Sequence, residues 1–199
     1  MFGPDDASAA TVAAAGRGDT VAGTVAAVGA ASGQLRRTGL PAVEDLARVM
    51  PPEEVRRRGP VAILECFERI PCDPCYWSCK RGAVKPFGDI NDLPEVDWER
   101  CNGCGLCVAA CPGLAIFVVH EGYTDSTSLI KLPYEFLPLP EVGQVVGALD
   151  REGTRVGEAR VVRVQKREKV GTPVVWIEVE RDLAHVVRNI AVAGGERGE

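Results

Sequence analysis

Cys101-Asn102-Gly103-Cys104-Gly105-Leu106-Cys107, which continues to Cys111-Pro112, is the stretch around which the chain is organised. Its spacing, CxxCxxCxxxCP, is typical of bacterial iron–sulfur ligation, in which closely spaced thiolates converge on one iron–sulfur cube. Gly103 and Gly105 favour a tight loop around such a group, because glycine tolerates positive φ and has no Cβ. Pro112 restricts Cys111 to extended backbone and turns it away from the local site. The stretch predicts a 4Fe-4S site.

A structural zinc site is the alternative interpretation of these cysteines. Zinc sites usually use two CxxC pairs separated by a longer spacer, and four cysteines packed this closely suit one tetrahedral ion poorly. A zinc-dependent interaction module without a redox role is therefore kept as a less favoured hypothesis, and metal analysis would separate it from the iron–sulfur one.

Composition narrows the class of protein. The 199 residues are 46% hydrophobic, which is enough for one ordinary domain or two small ones. The formal net charge of -5 argues against nucleic acid as a partner. All eight cysteines lie between residues 66 and 111, and this clustering favours metal binding in a reducing compartment. Without an export signal or an apolar stretch long enough to span a bilayer, we expect a cytoplasmic protein.

An internal repeat relates two cysteine blocks. Three cysteines precede three others by the same interval of 32 residues, namely Cys72, Cys75 and Cys79 before Cys104, Cys107 and Cys111. Gly82-Ala83-Val84 stands at the same interval before Leu114-Ala115-Ile116. Arg69 occupies the position 32 residues before Cys101, and Cys66, three residues earlier, supplies a thiol instead. Self-similarity at a fixed interval indicates a duplication.

The segments GPVAILECFERIPCDPCYWSCKRGAV and CNGCGLCVAACPGLAIFVV, within residues 60–119, resemble two-cluster bacterial ferredoxins. A longer stretch, from about residue 36 to 190, includes RRTGLP and LPYEFLPLPE. It is more closely similar to the ferredoxin-like 4Fe-4S subunit of heteromeric FAD-dependent, dye-linked dehydrogenases. These dehydrogenases oxidise proline, hydroxyproline and related amino acids.

The resemblance to two-cluster ferredoxins implies two 4Fe-4S clusters with crossed ligation. The implied ligands are Cys66, Cys72, Cys75 and Cys111 for cluster 1, and Cys101, Cys104, Cys107 and Cys79 for cluster 2. Two features depart from the pattern: five residues separate Cys66 from Cys72, and Lys80 stands where the second motif has Pro112. They leave open a three-iron cluster or an empty first site.

The expected fold class is α+β, a ferredoxin-like two-cluster domain with short N-terminal helices and a small C-terminal antiparallel β domain. The predicted segments are a disordered Ala/Gly-rich extension (1–34), a helical lead-in (35–59), the ferredoxin domain (60–122), a β-rich accessory domain (123–192) and a disordered tail (193–199). Apolar spacing and Pro51 predict a helix over 43–50, and charge patterning predicts a second over 53–58. Val-rich runs predict strands over 143–149, 156–165 and 173–179, with 150–153 as a turn, followed by a helix over 183–190.

The sequence predicts electron transfer and no catalytic residue in this chain. His120 and His185 lie near no evident nucleophile or acid pair, and no GxGxxG or Walker-type loop occurs. The resemblance implies FAD-containing dehydrogenase subunits as partners in a hetero-oligomer. A free-standing soluble ferredoxin is the alternative, although such a carrier does not need the β-rich segment. Trp77 and Trp98 fit two roles, shielding of the clusters or ordinary core packing.

Overall fold

The computed structural model describes residues 31–166 and 171–192, and this part of the chain begins with three short helices. They are α1 (Gly33–Thr38), α2 (Val43–Val49) and α3 (Glu53–Arg58). The predictions of α2 and α3 are confirmed, but α1 was not predicted. Its first residues fall at the end of the segment expected to be disordered, where the Ser32 hydroxyl accepts the Leu35 N–H and caps the helix. The rest of that segment (1–30) and the tail (193–199) lie outside the described residues.

The remaining elements form a sheet with two short helices in its connections. In chain order they are β1 (Val61–Leu64), α4 (Pro74–Ser78), α5 (Leu106–Ala110), β2 (Ile116–His120), β3 (Thr127–Pro133), β4 (Val145–Leu149), β5 (Arg155–Gln165), β6 (Val174–Glu180), a 3-10 turn (Arg181–Leu183) and β7 (Asn189–Ala191). The strands predicted over 143–149, 156–165 and 173–179 are confirmed as β4, β5 and β6. The described part of the chain therefore combines short helices with an antiparallel sheet.

One seven-stranded sheet runs through the described chain in the order β1-β2-β3-β6-β5-β4-β7. Strand β2 pairs with β1 through Val118 and Ala62, and with β3 through Val118 and Lys131. Strand β3 then pairs with β6 over seven residues. The β-rich segment after residue 122 thus continues the sheet of the cysteine-bearing segment.

The helix predicted over 183–190 is wrong. After the 3-10 turn the chain forms β7, which pairs with β4 through Ile190 and Ala148. The apolar residues Val187 and Ile190 are buried, as a helix face would have been, but they are buried at the end of a sheet. The Arg188 N–H also donates to the Leu149 carbonyl, so backbone hydrogen bonds to β4 replace those of a helix. Apolar spacing over so short a run does not distinguish these structures.

Apolar side chains pack on both faces of the sheet, and the cysteines belong to one of them. Along β2, Ile116 and Val118 lie in the cluster that contains Cys75 and Cys107, whereas Phe117 lies in the other cluster. This is the alternation expected of a strand. The face that carries Ile116 and Val118 therefore supports the cysteine segments. Within the described ranges, no helix is both long enough and apolar enough to cross a membrane.

Candidate iron–sulfur centres

The duplication seen in the cysteine spacing is also a duplication of backbone structure. Helices α4 and α5 are each five residues long, start 32 residues apart and pack against each other. The second residue of each helix is a buried cysteine, Cys75 or Cys107. Three residues after Cys79 and Cys111 the backbone turns left-handed, with φ of 60° at Gly82 and 53° at Leu114.

Hydrogen bonds outside the cysteine loops repeat in the same way. The Glu65 N–H donates to the Ala115 carbonyl at 2.8 Å, and the Asp97 N–H donates to the Ala83 carbonyl at 2.7 Å. Adding 32 to one residue and subtracting it from the other converts the first pair into the second. The two halves are thus related as partners that exchange strands, which is why residues of one half come close to the other.

This arrangement places the eight cysteines around two cavities. The first cavity is lined by Cys66, Cys72, Cys75 and Cys111. The second cavity is lined by Cys79, Cys101, Cys104 and Cys107. Each cavity takes three cysteines from one block and one from the other. These are the groups that crossed ligation requires, while the role of each sulfur as a cluster ligand stays a prediction.

The surroundings of both cavities fit a cluster of iron and sulfide. The second cavity has apolar walls from Ala62, Ala83, Val84 and Val118, which keep water from a bound group. The cysteines carry free thiols, the soft ligands that iron–sulfur clusters use. In the described ranges no three His, Cys, Asp or Glu side chains converge on a point that would hold a single metal ion. The cysteines instead lie around the walls of each cavity.

Burial and mutual proximity make these thiols hard to ionise by themselves. Burial raises the pKa of Cys75 and of Cys107 to about 12, and the nearby cysteines of the same cavity raise it further. Burial also raises the pKa of Cys66 and of Cys72, again with a contribution from Cys111. Four thiolates crowded in an apolar cavity need positive charge to offset their repulsion. A bound group that contains iron would supply that charge and release the thiol protons.

Backbone amides add polar contacts to the sulfurs. The Ala62 N–H donates to Cys101 Sγ at 3.5 Å, and the Ala83 N–H donates to Cys79 Sγ at 3.2 Å. Hydrogen bonds of this kind to the sulfurs help to set the reduction potential of a cluster. Ala62 lies on β1, so the sheet positions one of these donors.

Glycine is required at one position of the second loop. Gly103 has φ of 62°, and a Cβ added there would lie 2.6 Å from both the Cβ and the carbonyl oxygen of Pro60. Gly105 also has positive φ, but its added Cβ would meet the nearest atom, Lys131 Cδ, at an ordinary 3.6 Å. The expected tight glycine loop is therefore present, and it packs directly on the residue that precedes β1.

Sequence reasoning missed Lys131. This lysine lies in β3 and is only 7% exposed, and its Nζ donates to the Gly103 carbonyl at 2.6 Å. The same Nζ stands 3.9 Å from the centroid of the Trp176 ring. A lysine inside the otherwise apolar run Leu129–Leu132 was the available signal, but only the pairing of β3 with β2 and β6 shows where its side chain goes.

The two tryptophans and two histidines play smaller parts. Trp77 is 74% exposed, so it is not a core residue, and Trp98 is half-buried; neither lines a cysteine cavity. His185 contacts Glu121 and Arg56 away from the cysteines. Burial lowers the pKa of His185 despite the opposing effect of Glu121. His120 packs its ring edge against Tyr123.

Comparison with known proteins identifies the second block. Residues 94–117 match the model of the 4Fe-4S binding domain. The chain is 28% identical over 152 residues to Protein Pixie of Drosophila melanogaster, covering 64% of this chain and 24% of that protein. It is 36% identical over 59 residues to pyruvate synthase subunit PorD of Methanocaldococcus jannaschii, covering 30% and 66% respectively. Thiosulfate reductase electron transfer subunit PhsB of Salmonella typhi is 43% identical over 51 residues, covering 23% and 26%.

These matches define the class of protein. The chain is an iron–sulfur protein with a ferredoxin-type 4Fe-4S domain. It spans between about a quarter and about two thirds of the length of these relatives. No solved structure matches it significantly.

Proposed function

We propose that this chain is an electron-transfer subunit with two 4Fe-4S clusters, part of a heteromeric FAD-dependent amino-acid dehydrogenase. The observation that carries the proposal is the grouping of eight cysteines into two sets of four, each set around its own cavity. In this role Cys66, Cys72, Cys75 and Cys111 hold cluster 1, and Cys79, Cys101, Cys104 and Cys107 hold cluster 2. Each cluster supplies a one-electron centre.

Proximity of the two sites supports a relay. Helix α4 carries Cys75 of the first cavity, helix α5 carries Cys107 of the second, and the two helices are in contact. A flavin that has taken an electron pair from substrate passes its electrons singly to such centres. The electron-transfer role named for the relative PhsB agrees with this function. The dehydrogenase partner rests on the resemblance over residues 36–190.

The first test measures what the chain binds. Protein purified without oxygen is expected to contain about eight irons and eight acid-labile sulfides, four of each for two clusters. After reduction its EPR spectrum should show two interacting centres. About four irons would reduce the first block to a structural element, and zinc without sulfide would overturn the iron–sulfur role.

A second test separates crossed ligation from local ligation. Cys79→Ser should remove the centre of the second cavity, so its EPR spectrum should match that of Cys101→Ser. Cys111→Ser should instead match Cys72→Ser. Since Cys79 and Cys111 occupy equivalent places in the repeat, each variant is the control for the other. If Cys79→Ser gave the spectrum of Cys72→Ser, the crossed assignment would be wrong.

A third test concerns the partner. Native purification of the tagged chain from its own cells should recover FAD-containing subunits, and the complex should reduce an artificial dye with proline or a related amino acid. Recovery of the chain as an iron–sulfur monomer without flavin would favour a free-standing ferredoxin.

A further inference from the structure

The two cysteine cavities differ in the charges around them. Apart from the cysteines, the ionisable residues that line the first cavity are Glu68 and Asp92, both acidic. The corresponding residue of the second cavity is Arg81. Asp92 is partly neutralised by Arg69, whose Nη1 lies 3.0 Å from Asp92 Oδ1. The charge of Glu68 acts on the cavity directly, since it disfavours ionisation of the neighbouring Cys66.

A second acidic residue acts on the first cavity in the same way. Asp73 precedes Pro74, the first residue of α4, and its charge disfavours ionisation of Cys72. Glu68 and Asp73 thus both oppose negative charge among the first set of sulfurs. The second cavity has a cation in the corresponding role, Lys131.

The position of Lys131 gives its charge a strong effect. The partners that the structure gives its Nζ are neutral, the Gly103 carbonyl and the face of the Trp176 ring. Trp176 covers the ammonium group, and the residue is 7% exposed, so water screens its charge weakly. The nearest negative charges that stabilise the ammonium form are those of the Cys104, Cys101 and Cys107 thiolates. A buried cation without a carboxylate partner is costly unless such charges offset it.

We infer that Lys131 makes the second site the more readily reduced of the two, so that electrons enter at the first site and leave from the second. This inference rests on the proposed function, because it requires both sites to hold a cluster. Lys131 acts as a positioning residue here: it touches the Gly103 carbonyl and not the reacting atoms.

The physical basis is the charge change on reduction. Reduction adds one electron to a site and forms or breaks no covalent bond, so the negative charge of the site grows by one. Lys131 stabilises that added charge at the second site, whereas Glu68 and Asp73 oppose it at the first. Charge near a cluster is one of the determinants of its reduction potential. The difference therefore directs electrons from the first site to the second.

The wild-type protein provides the first measurement. A reductive titration followed by EPR should resolve two potentials. Cys72→Ser, which removes a ligand of the first site, identifies which potential belongs to the second site. The second site should have the higher potential, and a lower one would overturn the inference.

Substitution of Lys131 provides the second measurement. Lys131→Met keeps the length and apolar stem of the side chain and removes its charge. The equilibrium constant for reduction of the second site should fall about tenfold, which is about 59 mV for a one-electron couple. The first site should keep its potential. Lys131→Arg, which retains the charge, should restore most of the difference.

Arg163→Met is the matched control. The Arg163 guanidinium carbon lies 4.9 Å from the centroid of the same Trp176 ring, but this residue is exposed. Removing its charge should shift the second potential much less than Lys131→Met does. Equal shifts for both variants would show that only net charge matters, and would contradict a specific role for Lys131.

The outcomes separate this inference from the proposed function. A preparation with iron for one cluster or none contradicts the two-cluster function itself. A fully loaded Lys131→Met protein with both potentials unchanged contradicts the inference alone. If Lys131→Met fails to load the second site, the wild-type order of potentials still decides the question.

Discussion

Substitution of Gly103 by alanine tests whether the second cysteine loop depends on its contact with Pro60. The native φ of 62° lies in the left-handed region, where an L-residue costs roughly 1–2 kcal/mol. The new Cβ would also lie 2.6 Å from the Pro60 carbonyl oxygen, which is backbone and cannot turn away. Forced movement in a packed region costs about 1–3 kcal/mol more. The expected total is about 2–5 kcal/mol.

The control for Gly103→Ala is Gly153→Ala in the turn between β4 and β5. Gly153 has φ of 82°, and an added Cβ there meets nothing within 4 Å. It therefore carries the backbone cost without the clash. For a chain of this size 1 kcal/mol shifts the thermal midpoint by about 2–4 °C, so Gly103→Ala should lie about 2–12 °C below the control.

The assay is thermal unfolding of anaerobically purified protein at one scan rate, with iron content measured alongside. Gly103→Ala should also lose iron from the second site, since Gly103 lies between Cys101 and Cys104. Equal midpoints for the two variants, with full iron in both, would refute the argument that the loop is held against Pro60.

Two further predictions concern buried carboxylates. Asp45 is fully buried, and the hydrogen bond from the Ser32 hydroxyl keeps its pKa below the ordinary 3.8, against the opposing effect of burial. A lowered pKa in the folded state gives stability that is present above pH 3.8 and lost as pH falls through the lowered value. Asp45→Asn should therefore destabilise the protein by about 1–3 kcal/mol, equally at about pH 7 and about pH 5; a penalty that shrinks at pH 5 would contradict this assignment. Glu65→Gln should cost about 3–5 kcal/mol in thermal unfolding, because Glu65 Oε1 accepts from buried Arg188 Nε at 2.8 Å and from Arg151 Nη2 at 2.6 Å. Glu158→Gln, which removes an exposed ion pair with Arg155, should change stability by less than about 1 kcal/mol, and a similar loss in both variants would argue against the buried pair.

Where the sequence was sufficient, the determining interactions are local. The spacing of Cys101, Cys104 and Cys107 predicts the tight loop, because glycine and cysteine positions within seven residues set its backbone. Helices α2 and α3 and strands β4 to β6 follow from apolar and charge periodicity over short windows. The 32-residue repeat likewise predicts two equivalent helices, α4 and α5, because similar local sequences adopt similar backbones.

The tertiary structure decided what distant segments do to one another. The period of Val187 and Ile190 could not show that strand β4 was available to pair with them. Nor did any local pattern place Lys131 beside Gly103, 28 residues away, because that contact depends on the order of β2, β3 and β6 in the sheet. Spacing along a chain determines local backbone geometry, whereas burial and charge proximity arise only when separate elements compete to cover the same apolar surface. The cysteines were therefore evident in the sequence, and the charges that distinguish the two sites were not.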